Sequence, residues 1–325
     1  MAYIRTILGD IPPEEFGVCD FHDHLIRSSG PELALNPWYD MNDVDAASDE
    51  LEDFLAAGGR SMLLMDPIGC GRDVPQMLEI AKRFAGKAHL VMVTGFHKGS
   101  LYDNRGHWSL IFPHKKVVEL LVREVTDGMD LYSYAGPMIE RVQAKAGALK
   151  AGTSNQMITP FERNALSIAA NVQKECGVCI STHTDMGTMG WETLRLLKEN
   201  GADLEKTVLC HTNKINDINY HIKLMDTGAC LCFEGADRPM WATDTECAQS
   251  ILHLIERGYQ KQLLLSMDAG RSVWQKGYMK RQGKLVNGIS YLLTDFIPLM
   301  KKIGISDAAI KDMLVNNPAR LLALP

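Results

Sequence analysis

The chain has 325 residues, an apolar fraction of 46% and a formal net charge of −6. That length suits one large α/β domain with a buried core, and an acidic chain without a basic block argues against nucleic acid or an anionic membrane as a partner. The N-terminal MAYIRTILGD lacks a signal-peptide pattern and no apolar run is long enough to span a bilayer, so we expect a cytoplasmic protein.

Strand-like apolar runs alternate with helix-period segments along the whole chain. The predicted strands cover residues 17–23, 61–66, 90–95, 146–151, 178–183, 207–211, 229–234 and 263–268. This alternation indicates parallel strands joined by crossover helices, and eight such units indicate a closed (β/α)8 TIM barrel. Because there is no internal repeat or linker, residues 1–325 are predicted to form a single domain.

Local signals place several helix boundaries. Thr159 followed by Pro160 and Glu162 predicts a capping box at the start of one helix, and Asp73 is expected to begin another. The segment 305–324 is typical of a closing amphipathic helix. Two long connections, at about residues 99–113 and after Asp268, are expected to form the substrate pocket or a lid.

The eight cysteines lie mostly inside apolar runs, which favours reduced thiols over a disulfide framework. Cys176 and Cys179 form a CxxC spacing. However, Gly177 is expected to end a helix and Cys179 to begin a strand, so the two sulfur atoms need not meet.

Residues that can ligate metal lie at the ends of five of the predicted strands. They are His22, His24, Lys150, His183, His211 and Asp268. Each has an ordinary explanation alone, as a hydrogen-bonded core histidine, a solvated lysine or a helix-capping aspartate. The carboxyl ends of barrel strands converge on one face, and side chains at i and i+2 of a strand point the same way. The order and spacing together therefore predict a binuclear metal centre at the C-terminal face.

Lys150 is the predicted bridge between the two ions. His22, His24 and Asp268 are expected to hold one ion, and His183 with His211 the other. A protonated lysine about 4 Å from a unit charge costs roughly 4 kcal/mol at an effective dielectric of 20, and a divalent ion doubles that cost. We therefore predict a carboxylated Lys150. Imidazole and carboxylate ligands suit zinc, with manganese or cobalt as alternatives.

These motifs resemble those of the phosphotriesterase family of the amidohydrolase superfamily over nearly the whole chain. The matching segments are IRTILGDIPPEEFGVCDFHDHL (a hairpin and the first metal motif), GCGRDV, AGALKAGTSNQMITPFE, STHTDMGTMG, CHTNK and LLLSMDAGR. The resemblance implies the same six ligands, and Lys150 is similar to the carboxylated lysine of many members. Where the family usually has Thr-His-Glu-His, this chain has Phe-His-Asp-His. Asp23 is expected to point away from the metals, and the sequence gives no account of Cys19 and Asp20.

Such a centre predicts hydrolysis without a covalent enzyme intermediate. A hydroxide bridging two metal ions is a nucleophile near neutral pH, and the ion held by His183 and His211 would polarise the substrate's carbonyl or phosphoryl oxygen. Asp268 would accept the proton and pass it to the leaving group.

Cationic side chains recur in the segments that follow the last three strands and favour an anionic substrate. Lys214 and Arg238 could equally be surface charges, whereas Arg271 is expected to face the pocket. Lys276 lies further along the last loop, Lys98 is expected to line the pocket beside His97, and Trp241 is a weaker candidate. The predicted substrate-binding residues are Arg271, Lys214, Arg238, Tyr278, His97 and Trp274.

The loop DAGRSVWQKGY resembles a family subgroup that hydrolyses phosphorylated sugar lactones. The resemblance implies a metal-dependent hydrolase that opens a sugar-like lactone carrying phosphate or carboxylate. One alternative is hydrolysis of another ester, an N-acyl amide or a phosphotriester at the same centre. Another is a barrel that binds metal without catalysis, which an intact ligand set argues against. We also consider a homodimer.

Overall fold

The computed structural model describes residues 2–103 and 105–325. Its strands are β1 (Tyr3–Thr6), β2 (Gly9–Ile11), β3 (Cys19–Asp23), β4 (Ser61–Leu64), β5 (His89–Gly95), β6 (Ala148–Thr153), β7 (Cys179–Thr184), β8 (Thr207–Cys210), β9 (Cys230–Phe233), β10 (Leu263–Leu265) and β11 (Ala323–Leu324). Its α-helices are α1 (Pro31–Leu35), α2 (Val44–Ala56), α3 (Val74–Arg83), α4 (Trp108–Ile111), α5 (His114–Thr126), α6 (Pro160–Cys176), α7 (Gly190–Glu199), α8 (Ile218–Met225), α9 (Asp244–Glu256), α10 (Lys276–Lys280), α11 (Ile297–Ile303), α12 (Asp307–Lys311) and α13 (Asn317–Leu322).

The central sheet confirms the predicted barrel. Strands β3 to β10 pair in parallel in chain order, and each overlaps one of the eight predicted strands. Side chains alternate between two apolar layers: Leu63 and Val91 lie in an inner cluster, while Met62 and Leu90 join the outer cluster that packs on the helices. The strands are therefore buried on both faces, as parallel barrel strands require.

A small antiparallel sheet lies at the amino-terminal end of the barrel. Its strand order is β11-β1-β2, and the Ile7 N–H donates to the Leu90 carbonyl near the start of β5 at 2.8 Å. The hairpin of β1 and β2 agrees with the family resemblance, whereas β11 was not predicted. This sheet covers the end of the barrel opposite the carboxyl ends of the strands.

Helix boundaries follow the predicted signals. Thr159 and Glu162 form the capping box of α6, and Gly177, in the left-handed conformation, ends it. Asp73 caps α3. All eight cysteines are free, including Cys176 and Cys179.

The closing segment is not one continuous α-helix. A five-residue π-helical turn, residues 312–316, separates α12 from α13. Pro318 follows that turn and has no N–H to donate to the preceding turn, so the regular α-helical ladder is interrupted there. No helix in the described parts of the chain is long and apolar enough to cross a membrane.

Two aspartates close the barrel where β10 meets β3. Within the described residues these strands share no backbone ladder; the Asp268 N–H donates to the His22 carbonyl at 3.1 Å. On either side, the Asp20 carboxylate accepts from the Met267 N–H at 3.0 Å and the Asp23 carboxylate from the Ala269 N–H at 3.0 Å. These hydrogen bonds account for Asp20, whose role could not be inferred from the sequence. The Asp23 side chain is directed to the Ala269 N–H and so points away from the metal side, as expected.

Removal of the Asp23 side chain should weaken this closure. In Asp23→Ala, the N–H groups of His24 and Ala269 lose their acceptor, and two unsatisfied buried donors should lower the free energy of unfolding by about 2–4 kcal/mol. Asp23→Asn keeps an acceptor oxygen and should cost less than about 1 kcal/mol. Urea unfolding of the metal-loaded variants measures both. Equal losses in the two would mean that the charge, not the acceptor, closes the barrel.

Candidate metal centre

The structure brings the six predicted ligands together at the carboxyl ends of the barrel strands. His22 lies within β3 and His24 directly follows it, while Lys150 and His183 lie on β6 and β7. His211 directly follows β8, and Asp268 follows β10 by three residues.

Strand alternation explains why three of these side chains face the barrel axis. Ala148 and Cys179 belong to the inner apolar cluster, so Lys150 and His183, two and four residues later, share that face. Leu264 is also in the inner cluster, and Asp268 lies four residues beyond it. The backbone of Asp268 is left-handed, with φ 50°.

His22 and His211 reach the same face only through irregular backbone. Cys19 and Phe21 are in the inner cluster, so strict alternation would turn His22 outward. A register shift between Asp20 and Asp23 inserts one extra residue in β3 and reverses the alternation. His211 follows the inward-facing Cys210 and turns inward through a left-handed conformation, φ 70°.

The first ligand group is compact. Asp268 Oδ1 lies 3.7 Å from His22 Nε2 and 3.5 Å from His24 Nε2, and a nitrogen or oxygen atom from each residue lies within 4.8 Å of the others. The Lys150 ammonium nitrogen is 3.3 Å from His22 Nε2. The residues predicted for the first metal site therefore lie together, with Lys150 beside them.

The second histidine pair adjoins the first group. The rings of His183 and His211 have centroids 4.3 Å apart, and those of His22 and His211 are 5.0 Å apart. His211 Nδ1 lies 3.8 Å from Asp268 Oδ2. Asp268 therefore lies between the two histidine groups.

Carboxylates outside this set orient the imidazole rings. His24 Nδ1 is 2.8 Å from Asp66 Oδ1, which also accepts from Arg27 Nε at 2.8 Å. Glu234 Oε1 lies against His211 Nδ1, and its Oε2 is 3.9 Å from His22 Nδ1. Metal-bound histidines commonly donate their second N–H to such a carboxylate. The contacts thus leave Nε2 of His22, His24 and His211 for the metals, whereas His183 has a carboxylate, Asp185 Oδ1, 3.6 Å from its Nε2.

Glu234 is a site residue that the sequence analysis missed. It directly follows β9, is 3% exposed, and could itself belong to a ligand group with His211 and Asp268. The signal was present, because Cys230 and Cys232 face inward and alternation carries Glu234 to the same face. The predicted ligands were histidines, a lysine and an aspartate, and this glutamate was not among them.

Burial sets the charge state of the ligands. It lowers the pKa of His22, lowers that of His211 well below its ordinary value and lowers that of His183 to about 3, so these rings are neutral and able to ligate metal. Burial also lowers the pKa of Lys150. For Asp268, burial opposes ionisation, but the hydrogen bond to His24 and the nearby His22 hold its pKa below the usual value, and it is a carboxylate.

The donor set fits divalent metal ions. Within the described residues, the buried Nε2 atoms of His183 and His211 have no hydrogen-bond partner. Buried polar atoms are rarely left unpaired in folded proteins, and metal coordination would satisfy them. Neutral imidazoles with a carboxylate match the ligands of zinc, manganese or cobalt.

A cavity of about 270 Å³ opens above the ligands. Of the predicted substrate-binding residues, Lys214, Arg271, His97 and Trp274 line it, as do Lys98 and Trp241. Lys98 is already paired, since its ammonium group lies 2.8 Å from Asp185 Oδ2.

Tyr278, a predicted substrate contact, and its neighbour Lys276 lie outside the cavity wall. The Tyr278 hydroxyl donates to the carbonyls of Leu25 and Met41, at 2.8 and 2.9 Å, and thereby holds the loop after β3. Lys276, which lies on α10 with Tyr278, pairs with Asp53 at 2.9 Å. Tyr278 is therefore a structural contact of the loop, which corrects the prediction.

Arg238 also does not lie where a substrate contact would, although it was predicted to be one. It is 4% exposed, its Nη2 donates to the Met267 carbonyl, and its guanidinium carbon is 4.2 Å from the Trp274 ring centroid. Its Nη1 is 3.8 Å from Asp268 Oδ2. Arg238 thus lies behind Asp268 and does not line the cavity.

Gly270 packs directly against a metal ligand. A Cβ atom built on Gly270 would lie 2.8 Å from Cδ2 and 3.2 Å from Nε2 of His24. A contact that short would displace the ring, so only glycine leaves His24 in place at this position.

Comparisons with known proteins point to one family. The sequence model of the Phosphotriesterase family matches residues 2–322. A phospho-furanose lactonase of Mycoplasmopsis agalactiae is 44% identical over 322 residues, covering 99% of this chain and 91% of that protein. The crystal structure of an amidohydrolase from Mycoplasma synoviae has a TM-score of 0.98 and 41% identity, covering 100% of this chain and 92% of that one. The phosphotriesterase homology protein of Escherichia coli, crystallised with phosphate in its active site, has a TM-score of 0.83 and 27% identity, covering 96% and 100%.

Glu234→Gln should weaken metal binding, because the amide cannot hold the two imidazoles as the carboxylate does. We expect affinity for the divalent ion to fall about 10- to 100-fold, measured by chelator competition. Glu50→Gln is the matched control: Glu50 is equally buried but accepts from the N–H groups of Gly277 and Ile289, away from the metal ligands. Equal losses in both variants would contradict a specific role for Glu234.

Proposed function

Because the chain belongs to the phosphotriesterase family, a family of metal-dependent hydrolases, we propose that it opens the lactone ring of a phosphorylated sugar acid. The name of the M. agalactiae relative, phospho-furanose lactonase, supports this substrate class. So does the phosphate in the active site of the E. coli relative.

Two unneutralised cations in the cavity carry the proposal. Within the described residues, no carboxylate lies within ion-pair distance of Lys214 or Arg271, whereas Lys98 and Arg27 have acidic partners. The Lys214 ammonium group lies 4.1 Å from the Trp241 ring centroid. Arg271 stacks between Tyr39 and Trp274, with ring distances of 5.1 and 4.5 Å. A phosphate between these cations would supply the missing charge.

The volume and charge of the cavity also favour a small anionic substrate. A volume of about 270 Å³ is at the low end for ligand sites and suits a small molecule. Burial lowers the pKa of Lys214 to about 8, which leaves it largely an ammonium ion at neutral pH. A neutral phosphotriester would leave both cations without a counter-charge, so this alternative is less favoured.

Other side chains can orient the lactone. His97 Nδ1 accepts from the Lys98 N–H at 2.7 Å, so in the neutral ring the hydrogen is on Nε2 and can be donated to a substrate oxygen. Glu32 lines the same cavity, and its buried Oε2 has no hydrogen-bond partner among the described residues. It can accept from a sugar hydroxyl.

The hydrolytic step uses the six ligands. When bound, two divalent ions, for which we propose zinc, supply a nucleophile from water at neutral pH and polarise the lactone carbonyl. Asp268 is ionised and faces both histidine groups, so it can accept the proton of the attacking water. It can then return that proton to the ring oxygen that leaves as a hydroxyl group.

We also propose that Lys150 carries a carboxylate group. It is 1% exposed and its pKa is lowered by burial, which favours the neutral amine that reacts with carbon dioxide. The resulting carbamate would offer two oxygen atoms, enough for a ligand to each of the two ions. It also removes a positive charge from a site built to hold cations.

Lys150→Ala should lose metal and activity together. We expect about one ion or fewer per chain and a fall in kcat of about 1000-fold, with partial rescue by a short carboxylic acid. Elemental analysis and a ¹³C-bicarbonate NMR signal for the carbamate provide the readouts, and Lys87→Ala, an exposed lysine, is the control. Unchanged metal content and rate would refute the bridging role.

Arg271→Gln tests the phosphate contact. We expect KM for a phosphorylated furanose lactone to rise about 10- to 100-fold, since a charge-assisted contact of roughly 1.5–3 kcal/mol is lost. KM for the unphosphorylated lactone should change less than about threefold. Arg257→Gln, on the exposed surface, should match the parent. Equal effects on both lactones would reject phosphate binding by Arg271, and no lactone hydrolysis by the parent enzyme would reject the function.

A further inference from the structure

Glu32 is a buried acid in the wall of the cavity above the metal ligands. It lies in the first turn of α1, lines the cavity and is only 4% exposed. Buried acids are ordinarily paired with a cation or hydrogen-bonded through both oxygen atoms, because an unpaired carboxylate in the interior is costly. Among the described residues, no lysine or arginine is within ion-pair distance of Glu32, and Arg27 pairs with Asp66 instead, at 2.8 Å. The protein therefore leaves the carboxyl group of Glu32 only partly satisfied.

Cys70 occupies one oxygen atom of Glu32 and leaves the other without a partner. The Cys70 thiol donates to Glu32 Oε1 at 2.6 Å. Burial raises the pKa of Cys70 well above its ordinary value, and the nearby Glu32 raises it further, so the sulfur keeps its hydrogen and stays a donor. Glu32 Oε2 is buried and has no hydrogen-bond partner among the described residues. The thiol thus holds a carboxyl group that has one unused acceptor.

Arg27 attracts the charge of Glu32 without occupying its oxygen atoms. Burial opposes the charge on the Arg27 guanidinium, but Asp66 and Glu32 hold the pKa of Arg27 above its ordinary value. The guanidinium N–H groups point elsewhere: Nε donates to Asp66 at 2.8 Å and Nη1 to the Gly270 carbonyl at 3.2 Å. A carboxylate in this field can accept hydrogen bonds and has none to donate.

A ligand of Glu32 Oε2 must therefore bring a hydrogen-bond donor. In a phosphorylated sugar lactone, the ring oxygen, the carbonyl oxygen and the ionised phosphate only accept hydrogen bonds, and the donors are the ring hydroxyl groups. A carboxylate also repels a phosphate, so the phosphate is better placed at Lys214 and Arg271. The cavity thus offers cations to the phosphate and a buried carboxylate to a hydroxyl group.

We propose that Glu32 Oε2 accepts a hydrogen bond from a ring hydroxyl group of the lactone, which makes a free hydroxyl a requirement of the substrate. The inference rests on the proposed lactonase function and adds a specificity-determining residue to it. A lactone without this hydroxyl would place carbon against Oε2, and a site built to pair a substrate hydroxyl rejects such an analogue strongly. Cys70 is a positioning residue, since it is fully buried outside the cavity wall and acts through Glu32.

Steady-state kinetics of the metal-loaded enzyme test the contact with a phosphorylated pentono-1,4-lactone and its 2-deoxy and 3-deoxy analogues. For the unmodified enzyme, one deoxy analogue should have a kcat/KM about 10- to 100-fold below that of the full lactone, because a hydrogen bond to a charged group is lost. Glu32→Met keeps the length of the side chain and removes both acceptors. In this variant kcat/KM for the full lactone should fall about 10- to 100-fold, and that for the deoxy analogue should change less than about threefold.

Glu175→Met, which replaces an exposed acid on α6, is the control and should keep the preference of the unmodified enzyme. Equal kcat/KM values for all three lactones, or a Glu32→Met variant that is slowed equally on all three, would overturn the hydroxyl contact and leave the lactonase function standing. If the unmodified enzyme opens none of the lactones, the proposed function is rejected and this contact with it.

Variants of Cys70 test the positioning of Glu32. Cys70→Ala removes the donor to Oε1 and should reduce the preference for the hydroxylated lactone about 3- to 10-fold, because the carboxyl group is then free to turn. Cys70→Ser restores a donor and should keep the preference within about threefold of that of the unmodified enzyme. A thiol with only a structural role would change kcat/KM for all three lactones in the same proportion. An unchanged preference in Cys70→Ala would therefore show that Cys70 does not position Glu32.

Discussion

The closure of the barrel between its first and last strands is the constraint on which the site depends. Asp23 and Ala269 are 246 residues apart in the chain, yet they are joined at that junction. His22 and His24 lie on one side of it and Asp268 on the other. Because side-chain carboxylates replace most of the backbone pairing here, the same contacts close the fold and set the distance between the ligands.

Much of the architecture was predictable from periodicity. The eight apolar runs correspond to the eight barrel strands, and alternation within them is sufficient to turn Lys150 and His183 toward the axis. These residues lie on regular strands, where the direction of a side chain follows from its position in the alternation. Capping residues such as Thr159 were also recognisable, because their hydrogen bonds are local in sequence.

Other features depend on contacts that side-chain alternation along a strand does not predict. The extra residue in β3 that turns His22 inward and the left-handed backbone of His211 are local exceptions to alternation. Arg238 follows its strand much as a pocket residue would, yet it packs behind Asp268 because the Met267 carbonyl and Trp274 are its neighbours. Only the folded chain shows which cations are already neutralised.

The packing of Gly270 against His24 limits how the loop after Asp268 can evolve. Its neighbours Arg271 and Trp274 face the cavity and can vary with the substrate, but any side chain at position 270 would move an imidazole of the centre. A mutant library aimed at new substrate preferences should therefore randomise the positions beyond this glycine and keep the glycine itself fixed.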